Sequence, residues 1–515
     1  MQRLLPPGMS AAAFDKGLAA LRAVVGAEWV LDTDEDRETY LDPYATGDRR
    51  AHAPSAAVAP ANVEQVQAVM RVANAHKLPL WPISRGKNFG YGGAAPRLAG
   101  SLVLDLGRMN RILEVNERLG YCVIEPGVTF YELHAHLAQA GIALEFGFPN
   151  FGWGSAVGNA LDRGFSFRGD HSTNICGLEV VLPDGSLLRT GNGAMPGSAN
   201  GSTARHGFGP SWDQAFVQGN YGVVTKMGLW LHPVPEQVIS IQVALDQKDD
   251  LGWFVDELSP LLMRGVLGGN IAVSTATNSI IDNSQRKDWY EGAGALPDSV
   301  VMRMMAERGL GWWNSTVRIA GHADTNEANL KRVLAALHRH SAREYPVTRD
   351  TGASQAARGP VVNRLKVLNW YGGRGGHVGF SPVMPASGAA VLAQFRRTKA
   401  RYDEHGIDHN CTFYLNGRTV TNINLMLINL DDADFTARTG RLFDALVADA
   451  SAQGYGEYRT HLDYMDAVAA TFDFNDHALR RFNERVKDAL DPNGILAPGR
   501  NGIWPAAWRG QRSRG

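Results

Sequence analysis

The alternation of apolar and polar positions between residues 56 and 137 predicts one amphipathic helix among short strands. Residues 63–76 place Val63, Val66, Val69 and Met70 at helical spacing, so one face of this segment is apolar. Runs rich in aliphatic and β-branched residues predict the neighbouring strands, which are residues 56–60, 79–84, 101–106 and 121–130. This order favours α+β sheet layers over one long βαβ array.

Farther along, residues 177–191 also predict strand structure and contain the turn signal Pro183-Asp184-Gly185. Residues 410–426 alternate polar and apolar side chains and predict one more strand. The composition changes after residues 231–237, and glycine-rich apolar sequence returns only at residues 491–505. We therefore expect a first domain built from both chain ends, with a second domain inserted into it. The expected boundaries are 1–236, 237–460 and 461–515.

Composition and charge exclude several classes of protein. Lys and Arg number 51 and Asp and Glu 52, a formal net charge of -1, which leaves no electrostatic footprint for nucleic acid or an anionic membrane. No apolar run approaches the roughly 18 residues of a membrane span, and the start lacks the apolar core of a secretory signal. Cys122, Cys176 and Cys411 form no CxxC pair, which predicts buried inert thiols and no metal site. A soluble cytoplasmic protein is expected.

Two glycine-rich segments carry candidate ligand chemistry. Residues 84–93 read SRGKNFGYGG and residues 151–164 read FGWGSAVGNALDRG. Glycine permits positive φ and close backbone approach, and consecutive N–H groups in such loops can bind phosphate oxygens. Ser155 and Asn159 can add side-chain hydrogen bonds, so these loops predict a phosphate-bearing ligand.

A dinucleotide fingerprint is also present but lacks its structural context. Gly90, Gly92 and Ala95 fit the loose pattern G-x-G-x-x-A. That fingerprint requires a helix to open at the motif. Pro96 and Arg97 follow instead, and then another predicted strand, which argues against an NAD-binding Rossmann unit.

Six longer motifs spread along the chain belong together. They are PLWPISRGKNFGYGGAAPR (79–97), EPGVTFYELH (125–134), GSAVGNALDRG (154–164), GNYGVVTKMGLWL (219–231), GEYRTHL (456–462) and DPNGILAPGRNGIWP (491–505). As a set they resemble the vanillyl-alcohol oxidase and para-cresol methylhydroxylase family, the 4-phenol-oxidising flavoproteins that include eugenol oxidases. The resemblance implies an α+β fold with a two-part FAD-binding domain and an inserted α+β cap domain. It also implies a small phenolic substrate and a homodimer.

The resemblance assigns candidate FAD contacts to individual positions. The pyrophosphate loop is expected to include Gly86, Lys87, Asn88, Gly90, Gly92 and Gly93, with Ser155, Gly158 and Asn159 on its other side. Further candidates at matching positions are Asp170, His171, Val224 and Arg500.

Tyr91, Tyr458 and Arg459 match the family's phenolate-binding trio. A para-alkyl phenol gives up hydride more readily as its phenolate. Two hydroxyls and a guanidinium can hydrogen-bond the phenolate oxygen and stabilise its charge. Arginine suits this role because its charge does not titrate near neutrality.

His377, in GGRGGHVGFSP, resembles the histidine that oxidases of the family bond to the flavin 8α-methyl group. The resemblance therefore implies covalent FAD through His377. The methylhydroxylase branch uses a tyrosine for this bond, and Tyr371 is the alternative anchor in this chain.

Two positions depart from the family pattern. Asn150 stands where the family's oxidases carry an aspartate beside flavin N5, and an amide cannot act as a general base. Tyr44 stands where some members have a histidine thought to activate the anchoring histidine. The sequence therefore leaves two questions open: whether a base assists the addition of water, and whether flavinylation is complete.

The substrate pocket is expected to be wide and polar. Gly379 occupies a position where a bulky aromatic residue is common, and residues 410–426 offer polar side chains. The pocket candidates are Gly379, Ser381, Thr412, Thr419 and Asn422, with Asn416, Arg418 and Thr421 as further polar positions.

The expected activity is FAD-dependent oxidation of para-substituted phenols through a para-quinone methide, with O2 as acceptor. Candidate substrates are 4-alkylphenols, 4-hydroxybenzylic alcohols and eugenol-like or larger lignin-derived phenols. A flavoprotein subunit that passes electrons to a cytochrome c partner is the first alternative. A 2-hydroxy-acid dehydrogenase with the same FAD fold is more distant, because the Tyr–Tyr–Arg trio does not suit a carboxylate. A non-enzymatic binding module fits least.

Overall fold

A computed structural model describes residues 3–149, 151–357, 359–360 and 363–512. The chain forms two compact units. The first unit comprises Met1–Phe165, Asp170–Pro233 and His461–Gly515, and the second comprises Ser166–Gly169 and Val234–Thr460. The first unit is therefore built from both chain ends, and its junction with the second falls after Pro233. The pattern of residues did not predict that Ser166–Gly169 belongs to the second unit.

The strands of the described residues are two to eleven residues long. In chain order the strands are β1 (Val30–Leu31), β2 (Ala56–Val58), β3 (Leu80–Ile83), β4 (Leu102–Asp105), β5 (Ile112–Asn116), β6 (Tyr121–Ile124), β7 (Leu144–Glu145), β8 (Phe165–Ser166), β9 (Gly169–Asp170), β10 (Ile175–Val181), β11 (Leu187–Arg189), β12 (Val223–Trp230), β13 (His232–Pro233), β14 (Gln237–Leu245), β15 (Ile271–Thr275), β16 (Trp313–Gly321), β17 (Val347–Thr351), β18 (Gly375–Phe380), β19 (Val383–Pro385), β20 (Cys411–Leu415) and β21 (Thr419–Asn429).

The helices range from single turns to about five turns. In chain order those of the described residues are α1 (Ala11–Val25), α2 (Asp34–Thr39), α3 (Val63–His76), α4 (Phe130–Gln139), α5 (Ala156–Leu161), α6 (Asp213–Phe216), α7 (Asp250–Met263), α8 (Ala276–Ile280), α9 (Asp298–Arg308), α10 (Ala323–Leu337), α11 (Gly352–Ala356), α12 (Gly388–Glu404), α13 (Ala433–Ala452), α14 (Met465–Ala470) and α15 (Phe474–Leu490).

The first unit contains two main sheets. One has the order β1-β2-β4-β3, in which β2, β4 and β3 run parallel and β1 is antiparallel to β2. The other is antiparallel with the order β11-β10-β12-β6-β5. Helix α3 begins where the side chain of Asn62 accepts the backbone N–H of Gln65, and it buries Val66, Val69 and Met70 against the parallel sheet. Residues 63–76 thus form the predicted helix.

The second unit is organised around one antiparallel sheet of the order β17-β14-β16-β15-β20-β21-β18, with β19 also paired to β21. Facing residues of paired strands share one face of a sheet, and successive residues alternate between faces. Phe413 and Met426 lie on a fully buried face. Ile423 and Tyr414 lie on the other face and are only half-buried. One face of this sheet is therefore covered within the unit more completely than the other.

Two strand predictions were wrong in extent, and local capping and turn chemistry explain both. The predicted strand 121–130 ends at Ile124, because Thr129 and Glu132 form a capping box that starts α4 at Phe130. The predicted single strand 410–426 is a hairpin of β20 and β21, which turns at Gly417 with φ 94°.

Two further expectations concern the character of the chain. Cys122, Cys176 and Cys411 are buried thiols, as predicted, and burial raises the pKa of Cys122 to about 12. Of the helices within the described ranges, none has both the length and the apolar character required to cross a bilayer.

Candidate functional site

The first glycine-rich loop of the first unit is held in shape by its own side chains. Gly86, Gly90, Gly92 and Gly93 all have positive φ, which disfavours any residue with a Cβ atom. The Asn88 side chain accepts the N–H of Gly93 at 2.8 Å and donates to the Gly93 carbonyl at 3.0 Å. Asn88 therefore closes the loop, because both its amide oxygen and its amide nitrogen are hydrogen-bonded to the Gly93 backbone.

This closed loop leaves backbone donors available. Within the described part of the chain, the N–H groups of Gly86, Lys87 and Gly90 donate to no other residue. Gly90 is buried, so an unsatisfied donor there costs free energy unless a ligand accepts from it. Adjacent backbone donors in a left-handed loop are the arrangement that binds phosphate oxygens. The residues present therefore fit a cofactor that carries a pyrophosphate.

The second glycine-rich loop lies directly beside the first. A Cβ atom on Gly158 would stand 2.7 Å from the Ser84 hydroxyl, so only glycine lets the two loops approach this closely. The rings of Phe89 and Phe151 also meet, with centroids 4.8 Å apart. Ser155 caps α5 by accepting the N–H of Gly158 at 2.9 Å. The structure therefore brings together both loops predicted to contact the cofactor.

Asn159 and His171 form a buried pair behind this second loop. His171 Nδ1 donates to Asn159 Oδ1 at 2.7 Å, and the ring packs against Phe130 and Phe146. Burial and the neighbouring His232 lower the pKa of His171 to about 3, so the imidazole is neutral. Because His171 is fully buried among aromatic rings, it stabilises the second loop through its hydrogen bond to Asn159.

The remaining cofactor candidates of the first unit have partners of their own. Asp170 accepts the N–H of Ser172 and lies 3.5 Å from Arg163. Arg500 forms an ion pair with Asp162, close to the end of α5. The side chain of Val224 packs in the apolar core, so only its backbone is available to a ligand.

Two tyrosines lie near the first loop. Tyr91 is half-buried within the loop itself. The Tyr44 ring meets Phe89 edge-on at 5.5 Å, and its backbone N–H donates to Asp42 at 3.0 Å. Burial and the Asp42 charge raise the pKa of Tyr44, so its hydroxyl is neutral at pH 7 and is no substitute for a basic histidine.

In the second unit, His377 lies on strand β18 at the edge of the sheet. It faces Leu427 of β21 and is 4% exposed. Gly379 lies two positions farther on the same face, opposite Leu425. The absence of a side chain at Gly379 leaves space on the face that carries His377.

Residues 456–459, which include Tyr458 and Arg459 of the predicted trio and are called the clamp segment below, pair with the extension of that same strand. Pro382 bridges Glu457, and the N–H of Tyr458 donates to the Ser381 carbonyl at 3.3 Å. The N–H of Val383 donates to the Gly456 carbonyl at 2.9 Å. The structure therefore brings Tyr458 beside the continuation of the strand that carries His377, and Arg459 follows Tyr458 in the chain.

Glu457 is a residue of this segment that the sequence reasoning missed. Its carboxylate accepts the backbone N–H of Ser381 at 2.6 and 2.8 Å. Burial raises the pKa of Glu457 well above its ordinary value, although the hydrogen bond from Ser381 opposes that rise. A glutamate that precedes Tyr458 in the motif GEYRTHL was the only signal available.

The predicted pocket residues of the hairpin do not share one location. Thr412 faces Ile423 and lies on the His377 face, where its hydroxyl bonds Ser274 at 2.7 Å. Asn422 faces Phe413 and lies on the opposite, fully buried face of the sheet from Thr412. The Thr419 hydroxyl donates to Asn416 at the hairpin turn, which is a structural use of this side chain.

Two other positions were named as candidates. The Tyr371 hydroxyl accepts the N–H of Asp408 at 2.9 Å, and burial with the Asp408 charge raises its pKa well above the ordinary value. A phenol held in this way is a poor nucleophile, which disfavours Tyr371 as the anchor. Asn150 lies outside the described residues.

Comparison with known proteins gives a consistent result. Residues 54–191 match a family profile described as "FAD binding domain", and residues 307–501 match one described as "FAD linked oxidases, C-terminal domain". The 4-cresol dehydrogenase [hydroxylating] flavoprotein subunit of Pseudomonas putida is 33% identical over 97% of this chain and 98% of its own length.

Two solved structures are similar over nearly their whole length. The 4-ethylphenol oxidase from Gulosibacter chungangensis, in its isoeugenol complex, is 34% identical with a TM-score of 0.93, over 98% of this chain and 100% of its own. Substrate-bound p-cresol methylhydroxylase is 32% identical with a TM-score of 0.93, over 97% and 99% of the two chains.

Proposed function

Because the chain belongs to the vanillyl-alcohol oxidase and para-cresol methylhydroxylase family of FAD-dependent phenol-oxidising enzymes, we propose that it oxidises para-substituted phenols with O2 as electron acceptor. The proposed substrates are 4-alkylphenols, 4-hydroxybenzylic alcohols and eugenol-like or larger lignin-derived phenols. One observation carries the proposal: the segment with Tyr458 and Arg459 pairs with the continuation of the strand that holds His377.

The first glycine-rich loop is proposed to hold the FAD pyrophosphate through the N–H groups of Gly86, Lys87 and Gly90. Ser155 and Gly158 are proposed to line the other side of the same site. FAD supplies the hydride acceptor of the reaction. In this scheme the first unit is the FAD-binding domain and residues 237–460 are the cap.

Tyr91, Tyr458 and Arg459 are proposed to bind the phenolate oxygen. Two hydroxyl donors and a guanidinium favour the deprotonated phenol, because hydrogen bonds to a charged acceptor are stronger than those to a neutral one. A phenolate can release hydride from its benzylic carbon and become a neutral para-quinone methide. The clamp then holds the quinone oxygen while water adds to the benzylic carbon or a proton leaves the side chain.

His377 is proposed as the covalent anchor of FAD. It lies on a buried strand with Gly379 beside it on the same face, so a planar ring can approach the imidazole closely. Tyr371 is the weaker candidate, because its hydroxyl is already bonded to the Asp408 backbone.

The substrate pocket is proposed to be polar beside the clamp. The Ser381 hydroxyl is fully buried and has no hydrogen-bond partner among the described residues. An unsatisfied buried hydroxyl costs free energy, so a polar substituent on the substrate is a natural partner for it. Thr412 and Ser274 add hydroxyls to the His377 face of the sheet.

A cytochrome-linked dehydrogenase is the second candidate function. It is supported by the relative from Pseudomonas putida, whose name describes a flavoprotein subunit. An anchoring histidine favours the oxidase. We propose a homodimer in the cytoplasm as the working form of the oxidase, which sedimentation and cell fractionation can test.

The decisive experiment compares electron acceptors. Purified protein with 4-ethylphenol in air should release hydrogen peroxide in proportion to product. The same protein under nitrogen with horse cytochrome c should turn over far more slowly. Faster turnover with cytochrome c would support the second candidate, and no turnover of any 4-alkylphenol under either condition would refute both.

A further inference from the structure

A buried chain of charged and polar groups runs beneath the turn that carries Tyr91, entirely within the first unit. His461 is fully buried, and its Nε2 donates to Asp42 Oδ2 at 2.7 Å. Its Nδ1 lies 3.3 Å from a carboxylate oxygen of Asp463. The other oxygen of Asp463 accepts from His52 Nε2 at 2.7 Å, and His52 Nδ1 donates to the Arg97 carbonyl at 3.1 Å.

Electrostatics hold this chain together. Burial alone would lower the pKa of His461, but hydrogen bonds and charges from Asp42 and Asp463 outweigh it and raise the pKa to about 9. The backbone N–H of Asp463 also donates to His461 Nδ1 at 3.2 Å, so both ring nitrogens have fixed partners. A buried imidazole with a partner at each ring nitrogen is strongly held, because moving it leaves buried polar groups without hydrogen bonds.

The residues after His461 form the seat of the Tyr91 turn. A Cβ atom on Gly92 would stand 1.9 Å from Leu462 Cδ2, so the turn rests directly on the Leu462 side chain. Ala95, Leu462 and Met465 pack as a small apolar cluster.

An ion pair closes the far end of the same turn. Arg97 donates to Asp466 at 2.7 Å, and the Trp504 indole donates to the other oxygen of Asp466 at 2.7 Å. Residues 91–97 are therefore fixed to residues 461–466 at both ends and in the middle.

We propose that His461, held between Asp42 and Asp463, is a positioning residue that fixes Leu462 under Gly92 and thereby sets the place of Tyr91. Gly92 has no side chain that can absorb a shift of Leu462, so displacement of Leu462 passes straight to the backbone beside Tyr91. The inference rests on the proposed function, in which the Tyr91 hydroxyl donates to the phenolate. His461 itself touches neither substrate nor cofactor in this proposal.

The test uses His461→Gln and Asp42→Asn in the full-length holoenzyme. The matched control is Glu179→Gln, which removes another buried carboxylate of the first unit, paired with Arg189 and Lys226 and remote in sequence from the turn. The first readout is hydrogen exchange of the peptide 86–97, which needs no substrate. Exchange should be faster in both test variants and unchanged in Glu179→Gln.

The second readout is anaerobic flavin reduction by 4-ethylphenol. The apparent Kd should rise or the limiting rate fall by roughly 10- to 100-fold in the test variants, the range expected for a displaced catalytic contact. FAD content and the resting flavin spectrum should match those of the wild type.

Each outcome decides the inference. Unchanged hydrogen exchange of the peptide 86–97 in both test variants overturns the inference. Faster exchange of that peptide with unchanged kinetics of flavin reduction also overturns it. An equal kinetic loss in Glu179→Gln also overturns it, because that result indicates general destabilisation. If the wild type itself is not reduced by any 4-alkylphenol, the proposed function fails, while the exchange data still report whether His461 holds the turn.

Discussion

The backbone N–H of Ser381 donates to both carboxylate oxygens of Glu457, at 2.6 and 2.8 Å. This contact ties the end of strand β18, four residues after His377, to the residue that directly precedes Tyr458. The pairing gives the strand that carries His377 and the segment that carries Tyr458 a shared backbone geometry. A change at Glu457 is therefore expected to affect both stability and the clamp.

The first prediction concerns the stability of Glu457→Gln as a function of pH. Burial raises the folded-state pKa of Glu457 above its ordinary value of 4.5, so above pH 4.5 the folded protein holds a proton that the unfolded chain releases. That difference lowers the free energy of unfolding as pH rises. Glutamine cannot ionise, so the variant should gain stability relative to the wild type between pH 4.5 and neutrality. Urea unfolding at several pH values measures the difference.

The control is Glu327→Gln, at an exposed glutamate whose pKa is lowered by Arg349. There the sign reverses, because a lowered pKa stabilises the folded state above pH 4.5 and that contribution is lost in the amide. Parallel pH trends for the two variants would show that the Glu457 carboxyl is not held protonated by burial.

The second prediction concerns the flavin anchor. His377→Ala should retain FAD, because the glycine-rich loops of the first unit are untouched, but acid precipitation should then release the flavin. Tyr371→Phe is the matched control and should keep acid-stable flavin, since the Tyr371 hydroxyl serves the Asp408 backbone. Complete release of flavin from the wild type by acid would contradict covalent attachment.

The third prediction concerns the clamp. Arg459→Ala should slow anaerobic flavin reduction by a 4-alkylphenol about 30- to 1000-fold, equivalent to about 2–4 kcal/mol of lost charge stabilisation. FAD content should not change. The control, Arg332→Ala, removes an exposed arginine of helix α10 in the same unit. Its flavin should be reduced by the phenol at the wild-type rate. An unchanged reduction rate in Arg459→Ala would show that the clamp is misassigned.

The fourth prediction concerns Asn150, where the chain departs from the family. Water that adds to the quinone methide must lose a proton, and a carboxylate can accept that proton whereas an amide cannot. Asn150→Asp should therefore raise the ratio of alcohol to alkene from 4-propylphenol while flavin reduction stays nearly unchanged. Product analysis by chromatography gives the ratio, and Asn150→Ser is the control that shortens the residue without adding a base. An unchanged ratio in the aspartate variant leaves Asn150 without this role.

Local features of the fold were predictable where one segment carries its own signal. The helix 63–76 has apolar spacing and a capping Asn62, and the structure places it at those residues. The hairpin after Cys411 was missed although Asn416-Gly417 is a turn signal, because the polar alternation runs on through the turn. The register of the hairpin, which places Asn422 and Thr412 on opposite faces of the sheet, was therefore not predictable either.

The candidate site was predictable as motifs but not as contacts. The glycine-rich loops are visible in the sequence through their composition, and the Tyr–Tyr–Arg trio was proposed only from the resemblance of its motifs to the family. The bond between His461 and Asp42 joins residues 419 positions apart, and neither segment carries a local signal for it. The same holds for Ser381 and Glu457, which are hydrogen-bonded although 76 positions apart.

The last prediction concerns the buried ion pair of helix α15. Lys487 Nζ lies 2.8 Å from Asp491 and also donates to the carbonyls of Asn220 and Leu496, at 2.6 and 2.7 Å. Lys487→Met leaves the Asp491 carboxylate and both carbonyls without this partner, so the free energy of unfolding should fall by about 3–5 kcal/mol.

The neighbouring surface pair on the same helix provides the comparison. Arg481→Met breaks an exposed ion pair with Asp476 and should cost far less than Lys487→Met, because solvent screens such pairs. The double variant Lys487→Met with Asp491→Asn should recover part of the loss, since the amide leaves no uncompensated charge. Chemical denaturation of all variants gives the values. If Lys487→Met costs no more than Arg481→Met, the ion pair does not stabilise the C-terminal segment, and the packing of Ile495 and Leu496 with their N–H bonds to Asp491 does so instead.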